Sequence, residues 1–139
     1  VILSVRVYEK RAFLAYLLLL SGCYAAGLNG GGKTVAETAS AYYKMLMWRY
    51  YDRASVFVDE EKRKRFEELF AEDRSNLNIT NYEIKEVIME GDERSLVKVL
   101  VTYYKYPSVS EKTVVVEDTW VRKKGSWYIR SDFEDEMFR

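Results

Sequence analysis

One carboxylate in this sequence is placed where its neighbours would change its chemistry. Asp118 lies between Val116 and Trp120 on one face of a stretch that alternates Val114, Val116, Asp118, Trp120 with Thr113, Val115, Glu117, Thr119. A carboxyl in so apolar a setting resists ionisation and is able to serve as a base or acid near neutral pH. The favoured expectation is plainer: Asp118 is neutralised by Arg122 or Arg130, or its strand face points outward. Tyr42, Tyr43, Tyr50 and Tyr103, with Leu46, Trp120 and Trp127, are the residues expected to line a pocket or an interface. Core or interface packing is the favoured use of the tyrosines.

What is missing narrows the chemistry further. The chain has no histidine and a single cysteine, Cys23. That removes the usual general base, the commonest transition-metal ligand, and every Ser-His-Asp or Cys-His arrangement. It also removes internal disulfides and thiolate metal clusters. No cofactor or metal is expected, and the favoured function is non-enzymatic.

Two local patterns imitate ligand sites. Gly27-Leu-Asn-Gly-Gly-Gly-Lys-Thr34 fits the spacing of a phosphate-binding loop. Such a loop must follow a buried parallel strand, whereas this one follows Cys23 closely and no alternating strand–helix pattern comes after it. Glu60-Glu-Lys-Arg-Lys-Arg-Phe-Glu-Glu68 interleaves basic with acidic residues, which suits a solvated helix face with i,i+4 pairs. The whole chain is balanced at 22 basic and 22 acidic residues. Setting aside positions 1–23, which hold Arg6, Lys10, Arg11 and Glu9, leaves 22 − 3 = 19 basic and 22 − 1 = 21 acidic, net −2. No basic excess exists for nucleic acid.

The elements that would carry these residues fall into three parts. Positions 1–23 are basic (Arg6, Lys10, Arg11), then apolar from Ala12 to Leu20, then small (Ser21, Gly22) before Cys23. The apolar run suits a signal peptide and is too short to span a bilayer. Positions 24–33, with three adjacent glycines, read as a flexible tether. Positions 34–139 read as one globular domain; apolar residues at 48% and charged at 32% are globular proportions. The chain opens on Val1 and has no Met before Met45, so a literal alternative start, or one near Val5 or Val7, is expected.

Leu20-Ser21-Gly22-Cys23 resembles the bacterial lipobox. The resemblance implies cleavage before Cys23, a diacylglycerol thioether on its sulfur, and acylation of the new amino terminus in many bacteria. Two or three chains give stable attachment where one is marginal. The expected location is the bacterial cell envelope, and with Tyr24 after the cysteine, the outer membrane facing the periplasm in a Gram-negative cell.

In the domain, Thr34-Val-Ala-Glu37 is a capping box. Val35, Ala39, Tyr42, Tyr43, Leu46, Tyr50 and Ala54 then trace one helical stripe, predicting a helix to about Tyr51 and a turn or short helix over Arg53–Phe57. Asp59 is the expected N-cap of the next helix, whose buried face is Phe66, Leu69 and Phe70. The period then falls to two. Strands are expected around Tyr82–Met89, through Val97–Tyr104, through Thr113–Trp120 and through Trp127–Phe133, with turns at Gly91-Asp92 and Lys124-Gly125. The fold class is α+β: N-terminal helices on a curved antiparallel sheet of about four strands.

Helices followed by a long meander, Ala41-Tyr42-Tyr43 with Tyr51-Asp52-Arg53-Ala54, and the closing Thr119-Trp120…Gly125-Ser-Trp127-Tyr-Ile129 resemble the nuclear transport factor two-like, or cystatin-like, cone. That superfamily implies a bent sheet around the first helix, often with a pocket. Its enzymes include ketosteroid isomerases and limonene epoxide hydrolases, and many other members bind small ligands or dimerise through the sheet. By that resemblance a protein partner, a homodimer through the sheet or a small apolar ligand is expected. The alternative is an isomerase- or hydrolase-like enzyme using Asp118 and a nearby tyrosine.

Overall fold

The computed structural model describes residues 32–71 and 76–139. The leader, Cys23, and the tether up to position 31 lie outside the described residues. Lys33–Arg139 forms a compact unit by itself.

Helix α1 spans Val35–Met47 and begins at the expected capping box. The Glu37 amide donates to Thr34 Oγ1 (3.2 Å), and Glu37 Oε2 accepts from the Thr34 amide (3.2 Å). Val35, Ala39, Tyr42, Tyr43 and Leu46 are buried along one stripe. The helix stops four residues before the expected Tyr51. Arg49 takes a left-handed backbone conformation, φ 60°. The Tyr50 amide reaches back to the Met45 carbonyl (2.9 Å) and the Arg49 amide to that of Leu46 (3.0 Å). This is a Schellman stop with arginine where glycine is usual. It swings Tyr50 off the stripe, leaving its ring 50% exposed.

Helix α2 is a short turn, Tyr51–Ser55, which buries Ala54. Helix α3, Glu60–Phe70, buries Phe66 and Phe70 and keeps Leu69 at the core margin. Asp59 holds the N-cap position, but its side chain does not cap the helix. The Glu60–Glu68 tract is mostly solvated. Lys62 pairs with Asp132 rather than within the helix.

Strands β1 (Leu77–Met89), β2 (Arg94–Lys105), β3 (Lys112–Lys123) and β4 (Ser126–Arg130) form one antiparallel sheet in the order β1-β2-β3-β4. With the helices packed on it, the fold is α+β. Strand β1 starts five residues before the expected Tyr82. Register shifts at Thr80 and Lys85 insert extra residues and break the period-two signal there. Lys124 and Gly125, both at positive φ (52° and 79°), make the two-residue β3–β4 turn, the type that matches strand twist.

Alternation sorts the sheet into two faces. On the inner face Val97, Val99 and Val101 oppose Asp118, Val116 and Val114. On the outer face Leu96, Lys98, Leu100 and Thr102 oppose Thr119, Glu117, Val115 and Thr113. The core lies between the inner face and the helices, with Trp120, Tyr42, Tyr43, Tyr103, Phe66 and Phe133 its largest fully buried side chains. Phe66 meets Tyr42, Phe70 and Phe133 at ring separations of 6.4, 4.7 and 5.3 Å.

Candidate functional site

Asp118 faces inward. The favoured expectation, that it would be paired with Arg122 or Arg130 or turned outward, is overturned. It lies on the same face as Val116 and Trp120 and is 3% exposed. Its Oδ2 accepts a short hydrogen bond from the Tyr43 hydroxyl, donated by α1 across the core. Arg130 cannot reach it: Arg130 stands opposite Thr119, a neighbour whose side chain points to the other face. Burial pushes the Asp118 carboxyl from an ordinary 3.8 up to about 7. The Tyr43 hydrogen bond opposes that rise, and the charge of Asp135 adds to it. Burial raises both Tyr43 and Tyr42, and the nearby Asp118 charge adds to each.

Around this pair the interior is polar but incompletely satisfied. Tyr42 packs edge-on against Tyr43 (5.1 Å) and Trp120 (5.8 Å). Neither the Tyr42 hydroxyl nor Trp120 Nε1 has a hydrogen-bond partner among the described residues. Tyr43 stacks on Tyr82 of β1 at 5.8 Å, and the Tyr82 hydroxyl bonds with Ser40 Oγ at 3.1 Å. The chemistry available is that of a carboxyl raised to about 7 and hydrogen-bonded to a phenol whose own ionisation is pushed up by burial, held where bulk water does not reach.

Arg130 and Lys123 serve a second carboxylate, which sequence reasoning assigned only to a cap. Asp59, 1% exposed, accepts from Lys123 Nζ (2.5 Å) and Arg130 Nε (2.8 Å). Burial pushes its carboxyl up, but those two hydrogen bonds and charges outweigh it and hold it below the ordinary value. The Asp59 amide donates to the Ile129 carbonyl and the Ile129 amide to that of Phe57, both at 2.8 Å. This loop thereby covers the free edge of β4. No sequence signal separated this role from capping, because both need an acidic residue just before a helix.

The remaining expected site residues are dispersed. Tyr42, Leu46, Tyr103, Trp120 and Trp127 are core residues, and Tyr50 is on the surface. A groove of about 370 Å³ lies elsewhere, lined by Leu69, Phe70, Leu77, Lys105, Met137 and Phe138. Among the described residues no group of three or more metal-ligating side chains comes together. Among them, too, no helix is long and apolar enough to cross a membrane.

The architecture has a solved counterpart. It is similar to a SEC-C motif containing protein from Rhodopseudomonas palustris, known from a solution structure, with a TM-score of 0.54 over 68% of this chain and 73% of that one. Identity between the two is 15%, so the likeness is one of fold alone. No known protein family matches the sequence, and no curated protein matches it.

Proposed function

We propose that this chain is a lipid-anchored protein of the bacterial cell envelope, attached through Cys23, whose domain binds a protein partner without catalysis. The observation that carries the binding role is the outer face of the sheet. There Val115 is 63% exposed in mid-strand beside half-buried Leu100, and Ile88 is 36% exposed beside half-buried Leu96. None of the described helices packs on that face, where the two apolar pairs flank the Lys98–Glu86 ion pair and Glu117. Exposed apolar residues interleaved with charge support reading it as a partner surface. The inner face, by contrast, spends its carboxyl and its tyrosines on the core. Helices preceding a four-stranded meander also support reading the fold as a nuclear transport factor two-like cone.

Two experiments test the proposal separately. Growth with a labelled fatty acid should mark the chain and not its Cys23→Ser variant; an unlabelled wild type refutes the anchor. Light scattering and cross-linking in envelope extracts should show a complex, with itself or another protein, that Val115→Asp weakens. A complex indifferent to Val115→Asp refutes the outer face.

The buried pair favours a second reading, an isomerase- or hydrolase-like enzyme with Asp118 as base and Tyr43 as its hydrogen-bonding partner. That reading needs a substrate to reach Asp118 past side chains 1% to 3% exposed. The groove beside Phe70 and Met137 supports a small, partly apolar ligand instead; Glu68, Asn76 and Arg139 share its lining, and Asp118 and Tyr43 do not. Binding of a hydrophobic dye that Phe70→Ala abolishes would favour that ligand role.

A further inference from the structure

One end of the domain presents aromatic side chains to solvent together with basic ones. Trp48 is 59% exposed, Tyr50 50%, Tyr106 65% and Val109 76%. They are distant in sequence but gathered in the fold. Arg49 donates to the Leu77 carbonyl and to Asn78 Oδ1, both at 3.0 Å. This ties the Trp48–Tyr50 turn to the start of β1. The Tyr106 amide donates to the Asn76 carbonyl at 3.0 Å, which brings the β2–β3 loop to the same place. A rigid stop built on a left-handed arginine therefore holds Trp48 outward instead of letting it fold into the core.

The charges there are mainly positive. Lys44 lies one helical turn before Trp48, on the same side of α1. Arg53 lies over the Tyr50 ring at 5.1 Å and Arg49 over the Tyr51 ring at 5.6 Å; with Lys44 and Lys105 they stand against Asp52 in the same turn and Glu111 just beyond the Tyr106–Val109 loop. Exposed Trp and Tyr beside Arg and Lys match the boundary between lipid headgroups and acyl chains, where an aromatic body and a cationic head are both satisfied. Opposed charge favours anionic headgroups.

We propose that this end, formed by Trp48, Tyr50, Arg53 and the Tyr106–Val109 loop, seats the domain on an anionic phospholipid surface. The inference rests on the envelope reading for the source of that surface. The lengths allow it: Tyr24–Lys33 spans up to about 35 Å when extended. Helix α1 separates the tether from Trp48 by only about 20 Å. Anchor and seat are then two independent signals for one membrane.

The test uses the full lipidated chain in phosphatidylcholine vesicles with and without phosphatidylglycerol, and the Cys23→Ser chain added to the same vesicles. Trp120 and Trp127 are buried, so acrylamide-accessible tryptophan fluorescence reports Trp48. With phosphatidylglycerol present that accessible emission should be lost and shifted to the blue. Salt should reverse the effect, and Trp48→Ala should weaken Cys23→Ser binding about tenfold. Trp48 remaining equally quenchable on the lipidated chain overturns the seat while leaving the anchor intact. Vesicle binding by a chain that incorporates no fatty acid leaves the seat intact and overturns the anchor. Shielding of Trp48 on raising protein concentration without vesicles assigns this end to a protein contact and overturns the proposal.

Discussion

Replacing Asp118 by Asn should flatten the pH dependence of the domain's stability. Folding carries the Asp118 carboxyl from an ordinary 3.8 to about 7, so between those values the folded state holds a proton that the unfolded chain has released. Stability from this group is therefore complete below about pH 4 and declines as pH rises through 7. The slope is at most about −1.4 kcal/mol per pH unit, and the whole window of roughly three units is worth about 4 kcal/mol. Asp59, held below its ordinary value, acts in the opposite sense, and its contribution is lost only as pH falls below about 4. Asp135 is raised by burial and adds a slope of the same sign as Asp118, which the substitution leaves behind. The assay is urea unfolding at half-unit steps from pH 4.5 to 7.5, with Asp118→Asn beside the wild type. Asn retains an acceptor for the Tyr43 hydroxyl, so the variant should lose most of the slope without losing the fold. A wild type equally stable across the range, or an Asn variant with the full slope, would refute the reasoning.

Tyr42→Phe removes a buried hydroxyl that has no partner among the described residues and should raise stability by about 1 kcal/mol, whereas Tyr43→Phe strips the donor from Asp118 and should lower it by about 1–3 kcal/mol. Equal losses by urea unfolding would show that the two hydroxyls are not distinguished as described. Asp59→Ala should cost about 1 kcal/mol, the partners Lys123 and Arg130 being 44% and 39% exposed and able to recover water. Amide exchange should then quicken at Ile129, whose bonds to Phe57 and Asp59 cover the sheet edge; unchanged exchange would count against that role. Arg49→Ala should be less stable than Arg49→Gly by about 1 kcal/mol, since both lose the guanidinium but only alanine keeps the left-handed penalty. Identical melting of the two would remove strain from the description of that turn.

Much of this fold is legible in the sequence because two periods are clean. The capping box at Thr34 and the stripe from Val35 to Leu46 place α1. Strict alternation through β2, β3 and β4 assigns each residue to a face, and that same rule put Asp118 beside Val116 and Trp120. Errors arise where a local signal is silent. The stop after Met47 uses Arg49 in place of glycine, while Tyr50 and Ala54 prolong the helical spacing beyond the true end. The bulges at Thr80 and Lys85 shift the phase of β1, so its buried Leu77 and Ile79 do not register with the residues after Tyr82. The partner of Asp118 lies 75 positions away, and nothing local marks it. Arg130 looked eligible only because chain distance had to stand in for which face its side chain occupies, whereas Arg122 shares the face of Asp118 but stands beyond Trp120, at the exposed end of β3.

A carboxyl bonded to a phenol is an expensive way to fill space in a core, since apolar residues of similar volume would avoid the desolvation. What such a pair supplies here is a rotational setting for α1. Turning the helix by one residue, about 100°, carries Tyr43 away from β3 and leaves the Asp118 carboxyl buried without a donor, at about 1–3 kcal/mol or more. Ser40 and the stacked Tyr82 fix the same helix against β1, so α1 is indexed to strands on both sides of β2. An apolar stripe alone tolerates small rotations; three polar and aromatic registrations on neighbouring turns do not. The inner face is thereby closed with its contacts committed to folding, and the proposed protein partner would be left with the outer face, where Val115 and Leu100 have no such commitment.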